Sequence, residues 1–381
     1  MSNLQNPIWL MSSAYDSLSQ NELIASASES GAQGIDLCVF RKDGLRLDHT
    51  ATHLAYEGFS PDDAKILLDK FNHKSLKLSL GAFENMIGGD ESERIKNQNH
   101  LLKLIRIAHL LGGDVNDVKV GTFVGYNHDL GNEIDGFQKN LDEYLRVFDP
   151  IVRYAEDLGV TIVYENCPME GWRSSRYTNT FNNLSGVLAA RKLMYTLIPS
   201  PAHGEIYDPS HDIWQNIDPV NVITDMDINR LKRIHVKSTR MNNGKARTEW
   251  GGMYPMQTVS QDLALKAGIS IPSNDWDRHH YTAMLPGFGG TDNMDWNRFV
   301  EILHSKGFSG PFEIENEAKN SKDTQNLAAI KQGAEACINF LAPLVWNLTD
   351  EGYAYKNDTF LKDVNLTDLP VMTIGKLSRR S

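Results

Sequence analysis

The stretch IYDPSHDIWQNIDP, residues 206–219, decides how the rest of the chain is interpreted. It begins as a short apolar strand and places Asp208 at the end of that strand. Pro209 keeps Asp208 out of the helical region and ends regular hydrogen bonding there. A carboxylate and the His211 imidazole are therefore expected three residues apart at the C-terminal tip of a strand.

Three other apolar runs end in comparable side chains. One ends at Glu165, one carries His235 and Lys237, and one reaches Glu315. Carboxylate and imidazole ligands from several strand ends are typical of a divalent metal site. We predict that Glu165, Asp208, His235 and Glu315 bind one divalent ion, with Mn²⁺ as the first candidate and Mg²⁺, Co²⁺ or Zn²⁺ as alternatives.

Apolar runs alternate with helical patterns along the chain, and this alternation predicts an α/β fold. Strands are expected near residues 8–14, 34–40, 76–83, 118–124, 161–167, 204–207 and 231–236, and directly after 311. The strand ends that carry these polar side chains belong to four different strands, as a (β/α)8 TIM barrel requires. A doubly wound sheet would instead gather its functional side chains at one switch point of the strand order. We expect the barrel at 1–341, with a long insertion at 238–293 after the seventh strand, and a C-terminal extension at 342–381.

Whole-chain properties narrow the class of protein. The 381 residues carry a formal net charge of −11, which disfavours a nucleic-acid partner because phosphate binding needs clustered Lys and Arg. The three cysteines, Cys38, Cys167 and Cys337, show neither a disulfide pattern nor zinc-finger spacing. No secretory signal and no apolar run of membrane-spanning length is visible. We therefore expect a cytoplasmic protein. The apolar extension is expected to pack on the barrel or on a second copy, so a homo-oligomer is predicted.

The predicted site suits proton transfer on a small sugar or glycoside. An octahedral ion with four protein ligands keeps two positions for adjacent carbonyl and hydroxyl oxygens, and it would polarise that carbonyl. Glu165 and Glu315 would then act as general base and general acid. We predict that His211 and Lys237 hydrogen-bond substrate oxygens and that Trp214 lines the cleft.

Two further residues are predicted to contact the substrate. Asn85 follows the third strand, and His279 lies in the insertion beside Asp277 and His280, where these side chains could cover the cleft.

Each assignment has a simpler alternative. A single carboxylate after a strand is more often a helix cap or a turn residue, and only the coincidence of four such tips argues against that. Glu313, Glu315 and Glu317 share one strand orientation, so depth alone distinguishes them. Lys237 is equally consistent with a structural salt bridge.

The chain resembles the xylose-isomerase-like TIM-barrel superfamily, in particular its sugar phosphate isomerase/epimerase branch, over about residues 7–340. The resemblance rests on VYENCPM at 163–169, YDPSHDIWQNIDP at 207–219, IHVK at 234–237, LPGFGGTDNMDW at 285–296 and GPFEIENE at 310–317. It implies a divalent metal bound by Glu165, Asp208, His235 and Glu315. It also implies that the two glutamates act as acid and base and that His211 contacts substrate.

Two departures from the family pattern concern the substrate side. The family often has an arginine just before the Pro-Gly of the long loop, where this chain has Thr282 or Met284. The residue after H-V-K is commonly aspartate and here is Ser238. The departures leave the sugar and its phosphorylation state open, and we favour an unphosphorylated sugar or glycoside because no Gly-rich helix start is visible.

Other functions compete with the isomerase or epimerase hypothesis. A metal-dependent lyase that eliminates the aglycone from 3-keto-glycosides would use the same proton abstraction. An apurinic-site endonuclease-like hydrolase is suggested by Asp208-x-x-His211 and Asp277-x-His279, but the early strands lack matching histidines and the chain is acidic. A non-catalytic binding barrel is disfavoured by the intact set of four ligands.

Overall fold

The chain is described here from a computed structural model, which covers residues 6–44, 51–169, 183–241, 260–269, 281–288, 292–317, 327–346, 348–349 and 352–353. Its strands are β1 (Ile8–Met11), β2 (Gly34–Cys38), β3 (Lys77–Gly81), β4 (Val120–Thr122), β5 (Ile162–Glu165), β6 (His203–Tyr207), β7 (Leu231–Val236), β8 (Ser238–Met241), β9 (Tyr281–Met284), β10 (Phe312–Ile314), β11 (Leu348–Thr349) and β12 (Gly352–Tyr353).

Eight of these strands close into a parallel barrel in the order β1-β10-β7-β6-β5-β4-β3-β2. The surrounding helices are α1 (Gln20–Glu29), α2 (Pro61–His73), α3 (Glu91–Leu110), α4 (His128–Gly131), α5 (Gly136–Asp157), α6 (Leu188–Leu197), α7 (Pro209–Trp214), α8 (Pro219–Asp225), α9 (Gln261–Ala267), α10 (Trp296–Ser305) and α11 (Leu327–Val345). This architecture confirms the predicted (β/α)8 TIM barrel. No described helix is long and apolar enough to cross a lipid bilayer.

Helix starts follow signals that are visible in the sequence. At α1 the Glu22 backbone N–H donates to Ser19 Oγ (3.4 Å), and the Ser19 N–H donates to the Glu22 carboxylate (2.8 Å). At α2 a Ser60–Asp63 pair repeats this reciprocal cap, and Pro61 follows it. Such caps satisfy backbone donors that have no partner inside the helix.

Three helices differ from the prediction. Residues 209–214 form the short helix α7 directly after Asp208, because Asp208 caps it and Pro209 suits its first position. The sequence pattern predicts a helix near residues 181–195, whereas α6 begins at Leu188. The Asn183 amide instead accepts the backbone N–H of Gly125 (2.9 Å), and such side-chain bonds compete with helix formation. Helix α11 continues to Val345, beyond the expected barrel boundary at 341.

The two ends of the barrel domain meet at Asn6. Its backbone N–H donates to Val345 O (3.2 Å), and its carbonyl accepts the indole N–H of Trp346 (2.9 Å). Its amide donates to the carbonyl of Gly310 (2.9 Å), which precedes β10. Helix α11 therefore closes against the start of β1. The predicted packing of the extension as a whole stays a prediction, since residues 354–381 lie outside the described chain.

Between β7 and β10 the regular alternation is interrupted, as expected for the insertion. Strands β8 and β9 pair in antiparallel register outside the barrel, from Ser238 opposite Met284 to Met241 opposite Tyr281. The Thr239 hydroxyl donates to the carbonyl of Ser210 in α7 (3.0 Å). This two-stranded ladder therefore lies beside the segment that follows Asp208.

In the described part of the chain, hydrophobic residues fill two regions. The larger core lies between the barrel wall and the helices. A smaller cluster lies inside the barrel and contains Met11, Cys38, Phe40, Ala51, Phe83, Phe123, Val163, Met169 and Ile206. Polar residues of the barrel interior therefore share a confined space with packed apolar side chains.

Candidate metal centre

The four predicted ligands come from four neighbouring strands. Glu165 is the last residue of β5, Asp208 follows β6, His235 lies in β7, and Glu315 follows β10. One donor atom from each lies within 4.8 Å of every other, and all four residues are buried. The barrel therefore brings the predicted set together at one place.

The His235 imidazole faces two carboxylates of this set. Its Nδ1 is 3.2 Å from Glu315 Oε2 and 3.5 Å from Glu165 Oε1. Burial would lower the pKa of His235, but the neighbouring Glu165 carboxylate raises it well above its ordinary value. The surrounding carboxylates thus favour positive charge at this position.

Asp208 uses its two carboxylate oxygens differently. Oδ1 accepts the backbone N–H of Ser210 (2.8 Å), which is the helix-cap role of the simpler interpretation. Oδ2 faces Lys237 Nζ (2.9 Å) and His211 Nε2 (3.1 Å). The adjacent Asn166 amide receives the Asp208 N–H (2.7 Å) and donates to its carbonyl (3.0 Å). Asp208 is therefore both a cap and a member of the donor set.

Lys237 interacts with three carboxylates at once. Its Nζ lies 2.9 Å from Asp208, 2.9 Å from Glu315 and 3.2 Å from Glu317. Burial would lower the pKa of Lys237, but Asp208, Glu315 and Glu317 raise it well above its ordinary value. The salt-bridge interpretation is thus realised, and the predicted contact with substrate stays a prediction.

Two acidic members of the set, Asp208 and Glu165, are held in the ionised form. Burial opposes the charge of Asp208, but Lys237 and His211 lower its pKa to about 2. Burial likewise opposes the charge of Glu165, and His235 and His211 lower the pKa of that carboxyl below its ordinary value. Ionised carboxylates are the form that coordinates a metal.

The donor set fits a divalent cation in both size and donor type. Oxygen ligands of Mg²⁺ lie about 2.1 Å from the ion, so opposite ligands are roughly 4.2 Å apart. Donors that already lie within 4.8 Å of one another need only a small contraction to reach that distance. Three carboxylates and one imidazole are also the donor types that such an ion takes in proteins.

His211 is close to this set but belongs also to a second group. Its Nε2 is 3.4 Å from Glu165 Oε1, and with Cys167 the two residues form another potential metal-binding cluster. Cys167 was not predicted to be part of the site. It lies two residues after Glu165, and the period of two along a strand could have indicated it.

The other predicted substrate contacts have different surroundings. The Trp214 ring is buried and stacks on Tyr281 of β9, with centroids 5.2 Å apart and planes 9° from parallel. The Asn85 amide donates to Tyr126 O (3.1 Å) and accepts the Gly88 N–H (2.7 Å), so it joins two loops of the rim. His279 lies outside the described residues. None of these contacts with substrate is tested by the structure.

A deeper charged layer was not predicted. Glu313 lies one step below Glu315 and forms a buried ion pair with Arg233. Burial and the nearby Glu313 carboxylate raise the pKa of Asp36, on β2, to about 7. The alternation of side chains along a strand indicates that Glu313 and Glu315 point to the same side. Which of them lies deeper in the barrel is seen only once the barrel has closed.

Comparison with known proteins identifies the family. The family model described as xylose isomerase-like TIM barrel matches residues 24–341. The chain belongs to this xylose isomerase-like family. No curated protein sequence matches the chain.

Solved structures share the barrel of this xylose isomerase-like protein at low sequence identity. A xylose isomerase domain protein from Alicyclobacillus acidocaldarius has a TM-score of 0.59 and 16% identity, over 89% of this chain and 98% of the other. An IolI protein with a bound zinc atom has a TM-score of 0.57 and 14% identity, over 89% and 98%. D-Psicose 3-epimerase from Clostridium cellulolyticum H10, solved with D-tagatose, has a TM-score of 0.55 and 11% identity, over 89% and 99%. At these identities the likeness concerns the fold.

Proposed function

We propose that this protein is a divalent-metal-dependent sugar isomerase or epimerase. The observation that carries the proposal is the convergence of Glu165, Asp208, His235 and Glu315, all buried, with donor atoms within 4.8 Å of one another. A divalent ion held there would polarise a substrate carbonyl and make the adjacent C–H more acidic. Mn²⁺ is the ion we favour, with Mg²⁺, Co²⁺ and Zn²⁺ as alternatives.

Two carboxylates of the set can exchange protons with the substrate carbon. Glu165 ends β5 and Glu315 follows β10, two strands that are three positions apart in the eight-stranded ring, so they approach the centre from well-separated directions. One of them removes the proton from one face of the sugar, and the other returns it on the opposite face or at the neighbouring atom. The lowered pKa of Glu165 keeps this residue in the basic form.

Two cationic or polar side chains can orient the sugar oxygens. His211 lies 3.4 Å from Glu165 and 3.1 Å from Asp208, at the edge of the donor set. Lys237 keeps a third partner in Glu317 when Asp208 and Glu315 are engaged elsewhere, so its ammonium can stay charged beside the substrate. In this proposal both residues donate hydrogen bonds to hydroxyl or carbonyl oxygens of the sugar.

The substrate class we propose is an unphosphorylated ketose or a glycoside. Several proteins with the same barrel are named for ketose 3-epimerisation, among them the psicose epimerase solved with D-tagatose. Another is named as a probable 3-DHS dehydratase. An elimination would begin with the same proton removal, so a lyase acting on 3-keto-glycosides is the alternative that the test must separate.

Solvent exchange tests the proposal directly. The Mn²⁺-loaded full chain is incubated in D₂O with a panel of ketohexoses and, separately, with 3-oxo-glycosides, and products are followed by NMR. We expect deuterium at the carbon next to the carbonyl together with a new epimer or isomer. E165Q and E315Q should each slow exchange by about 10²- to 10⁴-fold, the typical value of one general acid or base.

A matched control lies between the barrel wall and helix α6. Glu205 is as deeply buried as Glu165 and pairs with Arg191 (2.8 Å) away from the donor set, so E205Q should retain exchange. Release of the aglycone without an epimer would assign the lyase reaction instead. Absence of both exchange and elimination with every sugar would overturn the proposed function.

A further inference from the structure

A second layer of charged side chains lies directly beneath the four-donor set. It consists of Asp36 on β2, Arg233 on β7 and Glu313 on β10, each at most 1% exposed. Arg233 and Glu313 precede His235 and Glu315 by two residues, so they point to the same face of their strands one step deeper in the barrel. None of these three residues is needed by the proton transfer described above.

Strand register places Glu313 opposite His235. In the β7–β10 pairing the two residues are direct partners. His235 Nε2 lies 3.5 Å from Glu313 Oε2, while Nδ1 on the other side of the ring faces Glu315 and Glu165. The imidazole therefore lies between the donor set above and Glu313 below.

Glu313 is held in this position from its far side. Its carboxylate pairs with the Arg233 guanidinium, which also donates to Asp117 O (3.3 Å) and lies over the Trp9 ring at 4.8 Å. Trp9 in turn packs against Gly34, where an added Cβ would come within 2.5 Å of the ring. This packing leaves Glu313 little freedom to rotate away from His235.

A neutral imidazole has one N–H donor and one acceptor nitrogen. For Nδ1 to offer its lone pair to an ion, the proton must be on Nε2, and Nε2 then needs an acceptor. Metal-binding histidines commonly donate this second N–H to a carboxylate, which fixes the ring and strengthens the ligand. Glu313 is the carboxylate within reach of Nε2 in the described part of the chain.

We propose that Glu313 is a positioning residue for the metal centre, which accepts the Nε2–H of His235 and so holds Nδ1 ready to bind the ion. The Arg233 guanidinium keeps the Glu313 carboxylate in place. This inference rests on the metal centre of the proposed function and adds to it a residue that contacts neither the ion nor the sugar. Loss of such an outer partner typically weakens metal affinity by about 10- to 100-fold.

The test measures Mn²⁺ affinity of the full chain by competition with a fluorescent chelator. E313L keeps a side chain of similar length but removes the acceptor, and we expect Mn²⁺ to bind about 10- to 100-fold more weakly. E313Q keeps an acceptor oxygen, so its loss should be smaller. A general loss of stability gives no reason for E313L to lose more Mn²⁺ affinity than E313Q.

The Glu205–Arg191 pair provides the control. E205L also leaves a buried guanidinium without its carboxylate, but Glu205 is not part of the donor set. Its melting temperature should fall as that of E313L does, while its Mn²⁺ affinity stays within twofold of the parent. In R233M/E313L the unpaired guanidinium is removed, so thermal stability should recover while Mn²⁺ affinity stays low.

Four outcomes would overturn the inference. The first is a Mn²⁺ affinity of E313L within twofold of that of the parent, and the second is recovery of Mn²⁺ affinity together with stability in R233M/E313L. The third is a loss of Mn²⁺ affinity in D36N that equals or exceeds the loss in E313L. The fourth is the absence of Mn²⁺ binding by the parent. If E313L does not fold, E313Q and the double variant decide the question by the same criteria. Tight, Glu313-dependent Mn²⁺ binding without sugar exchange would leave this inference standing and overturn the proposed function alone.

Discussion

At the scale of single residues, Asp208 combines two roles that the sequence presents as alternatives. One oxygen caps α7 through the Ser210 N–H, and the other faces the donor set through Lys237 and His211. A carboxylate with two oxygens can do both, because each oxygen accepts its own partners. The helix cap therefore holds the candidate ligand in place.

Substitution of Asp208 should separate these two roles. In D208N the cap is retained, since Asn and Asp cap helices about equally well, but the negative charge offered to the ion is lost. We expect Mn²⁺ affinity to fall at least about tenfold in D208N, as for loss of a partner that supports a metal ligand. D208A should lose the affinity as well, together with about 1 kcal/mol of unfolding free energy from the missing cap. Chelator competition and urea denaturation measure the two effects, and parent-like Mn²⁺ binding by D208N would contradict the assignment.

At the scale of elements, strands β7 and β10 carry a ladder of opposite charges. Arg233, His235 and Lys237 alternate on and directly after β7, while Glu313, Glu315 and Glu317 follow the same spacing on and after β10. The ion pairs run diagonally between the two strands, since Glu313 lies opposite His235 but pairs with Arg233, and Lys237 lies 3.2 Å from Glu317. Each buried carboxylate thus has a cationic or imidazole neighbour, which reduces the cost of placing charge inside the barrel.

Loop geometry at the rim depends on one glycine between β4 and α4. Gly125 has φ of +88°, and an added Cβ would come within 1.9 Å of Asn85 Oδ1. Gly89 has a similar φ of +80° but has no atom within 4 Å of that position. G89A should therefore cost only the conformational strain of about 1 kcal/mol. G125A should cost clearly more, because it also displaces the Asn85 amide from Tyr126 and Gly88. Urea unfolding of the two variants measures the difference, and equal losses would show that Asn85 can move freely.

At the scale of the whole molecule, stability is expected to depend on pH through buried histidines. His203 begins β6 and donates from Nε2 to the carbonyl of Ile198 (2.7 Å), close to the hydroxyls of Tyr144 and Tyr164. Burial lowers the pKa of His203 from 6.5 to about 4. Between these values the unfolded chain binds a proton that the folded chain does not, so folding becomes less favourable as the pH falls from 6.5 towards 4.

The pH dependence can be measured against a variant that does not titrate. The His203 shift corresponds to about 3 kcal/mol of unfolding free energy, present in full above pH 6.5. H203Q keeps a donor for Ile198 and has no ionisation. Its free energy of unfolding in urea should therefore fall less between pH 7 and pH 4.5 than that of the parent. His53 and His100 have pKa values lowered by burial as well, so part of the parental slope should remain in H203Q. Equal slopes for parent and variant would contradict the role of His203.

The eight-stranded barrel and the four-donor set could be predicted because their signals are local. Strand and helix periods are repeated along the chain, and the Asp-Pro-Ser-His segment marks a strand end by the backbone restriction of proline. In a barrel such strand ends meet at one rim, so Glu165, Asp208, His235 and Glu315 could be grouped without knowledge of their distances.

The tertiary structure decided what depends on register, depth and close packing. Glu313 and Glu315 point to the same side of their strand, so the sequence alone does not assign one of them to the donor set. The position of β10 beside β7 decides which of the two belongs to it. That Lys237 pairs with Asp208 and that Glu313 faces His235 depends on contacts between strands distant in sequence. The sequence by itself determined which residue types reach the mouth of the barrel, because side-chain alternation is a property of each strand. Their partners and depths were decided by barrel closure, because closure sets the position of each strand relative to its neighbours.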